Sequence, residues 1–242
     1  MRYQNIHKKR SPSRLIHFFG PDGSGKSVQA NILMSYLEMD HVRVKKYWLR
    51  AHHTVAYLLW KILVAIGFYR AIVNIYGDEL KIPAVNRSYF LCRFWATIEF
   101  IGILPLVIRA NILLLSGYCL VAERYILDTI AGIAYAVDDP NFPKSWTARM
   151  LFCLIPRNTF YIFLDSDYET IRARRSGDNH VSTKGRQQVE VAKPFLEPRE
   201  FIEFQRSLYG RLALQSDALT IDTSKTSIEE TSKIILYNLG LL

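Results

Sequence analysis

Cysteine is scarce in this chain. Its three residues, Cys92, Cys119 and Cys153, sit within apolar runs and form no C-x-x-C pair. That spacing argues against a disulfide framework or a zinc site and fits buried thiols in a reducing, cytoplasmic compartment. Long charge-free apolar runs are missing too. Residues 54–73 are interrupted by Lys61 and Arg70, and residues 94–122 by Glu99 and Arg109. The longest charge-free stretch there, 110–122, has 13 residues, against the ~20 that a spanning helix needs. These regions read as buried or dimer-interface helices, with peripheral membrane contact through 54–73 as the alternative. No acid precedes Asp22, while Arg2, Lys8, Lys9, Arg10 and Arg14 supply +5 of the net +9. Residues 1–13 therefore read as a basic, flexible tail, solvated rather than a specific nucleic-acid arm. The tail lacks the apolar core of a secretory signal, although an organelle transit peptide shares its composition. No repeat or low-complexity linker divides the remainder, so 14–242 reads as a single domain. An Asn-Lys-x-Asp guanine signature is also absent, which argues against a GTPase.

What is present is organised around one stretch. Gly20, Pro21, Asp22, Gly23, Ser24, Gly25, Lys26 and Ser27 read G-x-x-x-x-G-K-[ST], the phosphate-cradling P-loop. The apolar run 15–19 before it reads as a buried strand. Val28, Ile32, Leu33, Tyr36 and Leu37 after it recur at helical spacing. Glycines let backbone N–H groups approach phosphate oxygens, and the helix N-terminus adds positive potential. Lys26 is the compact cation for the β- and γ-phosphates, and Ser27 offers a hydroxyl to Mg²⁺. The loop and Val28 are the candidate ATP contacts.

Further short strands are expected at 42–48, 119–122, 160–164 and 218–222. Helices are expected at 55–66, 89–115 (with Pro105 kinking or dividing it), 126–137, 146–154, 168–175, 197–214 and 227–239. Asp165 or Asp167 would cap the helix from 168. Residues 66–88 contain a loop with Pro83, and Asp222 reads as a turn residue. Strands alternating with helices imply α/β architecture: a P-loop NTPase-type parallel five-stranded sheet, helices on both faces, three layers. Ligands bind such sheets at the carboxyl ends of the strands. The P-loop, Arg50, Glu123, Arg124 and Asp165 then share one rim.

Phosphoryl transfer also needs a carboxylate for the metal and cations that follow the moving charge. Glu123 is the candidate for the first role, with an ion pair to Arg124 as its structural alternative. Arg124 can clamp donor and acceptor phosphates. The segment 172–186 carries a net +4 through Arg172, Arg174, Arg175, Lys184 and Arg186 against Asp178. It reads as a lid, about 172–193, with Arg172 and Arg175 as candidate catalytic arginines. His52 and His53 have no carboxylate partner and read as structural.

Together these residues resemble the thymidylate kinases, a branch of the P-loop nucleoside-monophosphate kinases. The loop is similar to that family's G-x-D-G-x-G-K-[ST] variant, with Asp22 as the distinguishing letter. Glu123-Arg124-Tyr125 with Asp128 resembles its D-R-Y motif. The resemblance implies ATP, Mg²⁺, transfer to a nucleoside monophosphate such as dTMP, and a homodimer. It also implies that Asp22, Arg50, Arg124 and Tyr125 face the acceptor, and that Ser27 and Glu123 serve the metal. Glu123 stands where the family has aspartate, and the family's arginine-containing acceptor motif has no clear match. The Glu-Arg pair is similar to deoxynucleoside kinases as well. Another small-molecule kinase and a non-catalytic ATP-binding protein are the remaining alternatives.

Overall fold

Residues 15–17 pair with a strand on either side of them, which sets the first strand at the centre of the sheet. In the computed structural model, which describes residues 15–49, 54–73, 77, 79–177 and 196–242, β1 is Leu15–Phe19 and is buried throughout. It pairs in parallel with β5 (Cys119–Arg124) on one side and β6 (Thr159–Asp165) on the other. β2 (Val44–Trp48) extends the sheet beyond β5, and β7 (Leu219–Asp222) extends it beyond β6, giving the order β2-β5-β1-β6-β7. All four pairings are parallel. Near-continuous apolar strands are what a sheet covered on both faces requires.

Strand alternation divides the core into two. Ile16, Phe18, Val121, Ile162 and Leu164 point toward α1 (Lys26–Met39) and α8 (Ile228–Asn238), where Leu33, Leu37 and Ile235 complete one cluster. Leu15, Phe19, Leu120, Ala122 and Phe163 point the other way. There they meet α3 (Tyr89–Leu115), α4 (Ile126–Val137), α5 (Trp146–Cys153) and α7 (Arg199–Gln215). The three layers and five parallel strands are those expected from the sequence.

Residues 66–83 depart from expectation. After α2 (Val55–Ala65) the chain forms an antiparallel pair, β3 (Tyr69–Val73) with β4 (Glu79–Pro83). Pro83 closes a strand that has only one partner, which is where a residue without an N–H is tolerated. Pro105 does not divide α3, which continues as one element of 27 residues. The carbonyl that loses its partner belongs to Ile101, and both residues lie on the exposed side of the helix, where water can take up the bond. The capping residue of α6 (Tyr168–Gly177) is Asp167, which accepts from the Thr170 N–H at 2.7 Å and the Thr170 hydroxyl at 3.0 Å. Asp222 is a turn residue, accepting from the Ser224 N–H at 3.1 Å. Of the three free thiols only Cys119 is buried; Cys92 is half-buried and Cys153 is exposed at the end of α5, contrary to the expectation that all three are internal.

Candidate phosphoryl-transfer site

β1 gives way to the loop at Gly20, where φ is +142° and a Cβ would lie 2.1 Å from the Leu164 carbonyl oxygen of β6. Only glycine lets the chain leave the sheet this close to its neighbour. Gly25, at φ +91°, caps α1 without a side chain. The first N–H groups of that helix are thereby open to an anion.

Lys26 lies across the loop and is 6% exposed. Its Nζ donates to the Gly20 and Pro21 carbonyls, both at 2.7 Å, and lies 3.5 Å from Asp22 Oδ1. Burial lowers its pKa to about 8, against the opposing attraction of Asp128 and Glu197. Asp22 collects two further cations: Arg124 pairs with it directly, and Arg175 Nη2 lies 4.0 Å from its Oδ2. Three cations gathered on one carboxylate at the mouth of a P-loop match what incoming phosphate oxygens require.

Successive residues of β5 face opposite sides of the sheet, so Glu123 and Arg124 part company rather than pairing with each other. Glu123 turns toward α1, accepts from the Ser27 hydroxyl at 3.0 Å and pairs with Lys46 of β2. Ser27 and Glu123 thus form an all-oxygen donor pair at the loop's end, a set that suits Mg²⁺. Among the described residues no cluster of three or more His, Cys, Asp or Glu could hold a metal unaided. Mg²⁺ at such a site would draw its other ligands from phosphate and water, its usual habit.

A cleft of about 600 Å³ opens over these groups. The loop from Asp22 onward, Val28, Trp48, Glu123, Arg124 and Arg175 border it, and its far wall is the segment from Thr223 to Ile228 after β7. The Thr223 hydroxyl donates to the Ser24 carbonyl at 3.1 Å, tying that wall to the loop.

α6 sorts the candidate arginines by helical period. Ile171 packs against Gly23, and Arg174 and Arg175, one turn on, face the loop with it. Arg174 donates to the Gly23 carbonyl at 3.2 Å and to the Thr223 hydroxyl at 3.1 Å. Arg172 points about 100° away, is exposed, and lies 3.8 Å from Glu169. The structure therefore brings Arg174 and Arg175 to the loop and leaves Arg172 outside. Tyr125 does not line the cleft either. It is fully buried, edge-on to His17 and Tyr47, and burial holds its phenol above the ordinary range. Arg50, His52, His53, Lys184, Arg186, the tail and most of the lid lie outside the described residues.

Two polar networks escaped the sequence reading. His17 Nε2 lies 3.1 Å from Asp128 Oδ2, and the Tyr209 hydroxyl donates to Asp128 Oδ1 at 3.0 Å. The Tyr125 N–H donates to the same carboxylate at 3.1 Å. This buried group ties β1, α4 and α7 together beneath the loop. Asp165, at the end of β6, receives two parallel bonds from Arg206, at 2.8 and 3.0 Å, and these hold the guanidinium's pKa up. The sequence signals were slight: one histidine at an inward position of an apolar strand, and one arginine among several on α7.

Neither a family model nor a curated protein matches the chain. Among solved structures, the thymidylate kinase of Candida albicans superposes with a TM-score of 0.55, over 93% of this chain and 90% of that one, at 17% identity. The fold is that of a thymidylate kinase. At this identity the likeness concerns the fold alone. The thymidylate kinase-like fold nonetheless agrees with the chain's own geometry, in which a phosphate loop, a paired hydroxyl and carboxylate, and convergent arginines share one rim.

Proposed function

We propose that this chain is an ATP- and Mg²⁺-dependent nucleoside-monophosphate kinase of the cytoplasm, with dTMP to dTDP as its leading reaction. The observation that carries the reading is Asp22 inside the P-loop, holding Lys26, Arg124 and Arg175 at the point where donor and acceptor phosphates would meet. Loop N–H groups would cradle the ATP phosphates, and Lys26 would exchange two carbonyl partners for phosphate oxygens. Arg124 and Arg175 would likewise trade Asp22 for the transferring group, following charge as it develops. An oxygen of the acceptor phosphate attacks the γ-phosphorus; the bond to the β-phosphate oxygen breaks, and ADP leaves with that electron pair. Ser27 and Glu123 would hold Mg²⁺, which when bound would offset the charge of the phosphates.

The acceptor phosphate is already ionised, so this reaction needs no general base. Transfer to a nucleoside hydroxyl would need one, and the carboxylates at the cleft are committed. Glu123 is held by Ser27 and Lys46, and Asp22 keeps Lys26 beside it, at 3.5 Å, when the arginines turn to phosphate. This favours a monophosphate acceptor over a deoxynucleoside. The Candida albicans enzyme has broad substrate specificity, so the test is a coupled ADP-release assay across nucleoside monophosphates and deoxynucleosides. Turnover with dTMP and none with thymidine is expected. Turnover with nucleosides but with no monophosphate would overturn the assignment.

A further inference from the structure

Asp128 is a carboxylate that the reaction above does not use, yet it sits at the stem of the site. It lies in the first turn of α4, is 4% exposed, and joins β1, α7 and the turn after β5. Its Oδ2 accepts from the Tyr125 N–H at 3.1 Å and lies 3.1 Å from His17 Nε2. Its Oδ1 accepts from the Tyr209 hydroxyl at 3.0 Å. His17, Tyr125 and Tyr209 are buried with it. A carboxylate so far from water persists only where partners of this kind offset its desolvation.

The partners converge on Arg124. Tyr125 is the one residue between β5 and α4, and Asp128 holds both of its backbone groups. The carboxylate takes the Tyr125 N–H, and the Asp128 N–H donates to the Tyr125 carbonyl at 3.1 Å. On the other side, the Arg124 carbonyl accepts from the Leu49 N–H at 3.0 Å. His17 is the register partner of Ala122, two positions before Arg124, and stands three residues before Gly20. One side chain therefore ties the backbone at Arg124 to the strand that feeds the P-loop, and Tyr209 braces it from α7. The guanidinium itself has Asp22 as its one partner among the described residues. A side chain that must exchange that carboxylate for phosphate oxygens arrives correctly only if its own Cα stays in place, and a misplacement of about 1 Å can cost about 10²-fold.

We propose that Asp128 is a positioning residue, which holds the base of Arg124 in register with the P-loop so that the guanidinium can pass from Asp22 to phosphate. The inference rests on the phosphate role given to Arg124 above. The test is a double-mutant cycle of Asp128→Ala with Arg124→Ala in the full chain, read by the Kd for inorganic tripolyphosphate and by kcat with ATP and dTMP. A residue that acts through Arg124 loses its effect once Arg124 is gone. Asp128→Ala is expected to weaken tripolyphosphate binding and to lower kcat, each about tenfold with Arg124 present and less than about twofold without it. Any influence of the Asp128 charge on Lys26 enters both backgrounds and cancels in the comparison. Asp128→Asn should recover most of the loss, because its amide oxygen can serve the Tyr125 N–H and His17 while its NH₂ turns to the Tyr209 oxygen. Where Asp128→Ala does not fold, Tyr209→Phe carries the same cycle, with an expected effect of about threefold that again requires Arg124. Equal losses in both backgrounds, or an asparagine variant as impaired as the alanine one, overturn the proposal and leave the kinase reading standing. Wild-type binding and turnover in Arg124→Ala alone overturn both.

Discussion

ATP should bind this protein less tightly as the solution turns alkaline, through one buried amine. Lys26 is 6% exposed and its pKa is lowered to about 8 by that burial. Phosphate oxygens replacing the Gly20 and Pro21 carbonyls would favour the ammonium and raise the pKa again. Binding above pH 8 is then coupled to uptake of one proton. With a free-state pKa of about 8, Kd is expected to rise about tenfold between pH 7 and pH 9, or ~1.4 kcal/mol. The free protein moves in the opposite direction. Because the folded pKa lies below the unfolded value of 10.5, the unfolded chain binds more protons between the two. This group's contribution to stability is therefore fully present above 10.5 and is lost as pH falls through about 8. Calorimetric titration at pH 8.5, in two buffers of different ionisation enthalpy, would count the proton. The Tm increment from saturating ATP should shrink from pH 7 to 9 while the ATP-free Tm gains from this group. Lys26→Arg, whose guanidinium stays charged, should flatten the profile. A pH-independent Kd with no proton uptake would refute the assignment of Lys26 as the phosphate cation.

Gly20→Ala should cost about 3 kcal/mol or more, because a Cβ 2.1 Å from the Leu164 carbonyl must push β1 and β6 apart; chemical denaturation measures it. Tyr209→Phe leaves the buried Asp128 Oδ1 without its 3.0 Å donor, a loss of about 1–3 kcal/mol in the same measurement. Arg175→Ala should lower kcat about 10²-fold, by analogy with removing one preorganised charge. Arg172→Ala, which loses only an exposed contact to Glu169, should leave steady-state kinetics unchanged.

The layers of this fold were legible because their signals are local. Strands of four to seven residues, most of them apolar and each followed by a helical period, fix a parallel sheet, and the glycine pattern marks the turn that carries the candidate phosphate loop. The hairpin β3–β4 was not legible, since residues 66–83 mix aromatic, basic and apolar residues without clean alternation. It is shaped by packing against α2 and the core, to which Leu80 and Ile82 contribute. At the site, residue types identified Lys26, Ser27, Glu123 and Arg124, and strand parity then decided their partners. The partners themselves were hidden. Lys46 reads as one of two adjacent lysines on β2, and His17, Arg206 and Tyr209 reach their carboxylates across 111, 41 and 81 positions of sequence. Choosing among Arg172, Arg174 and Arg175 required the phase of α6, which Ile171 sets by packing on Gly23.

The central claim, transfer between nucleotides at Lys26 and Arg124, is tested most directly by following label from [γ-³²P]ATP after incubation with dTMP and Mg²⁺. The label is expected in dTDP, with the rate falling about 10²-fold or more in Lys26→Ala and in Arg124→Ala. Label appearing only as inorganic phosphate, or reaching dTDP at the wild-type rate in either variant, would contradict it.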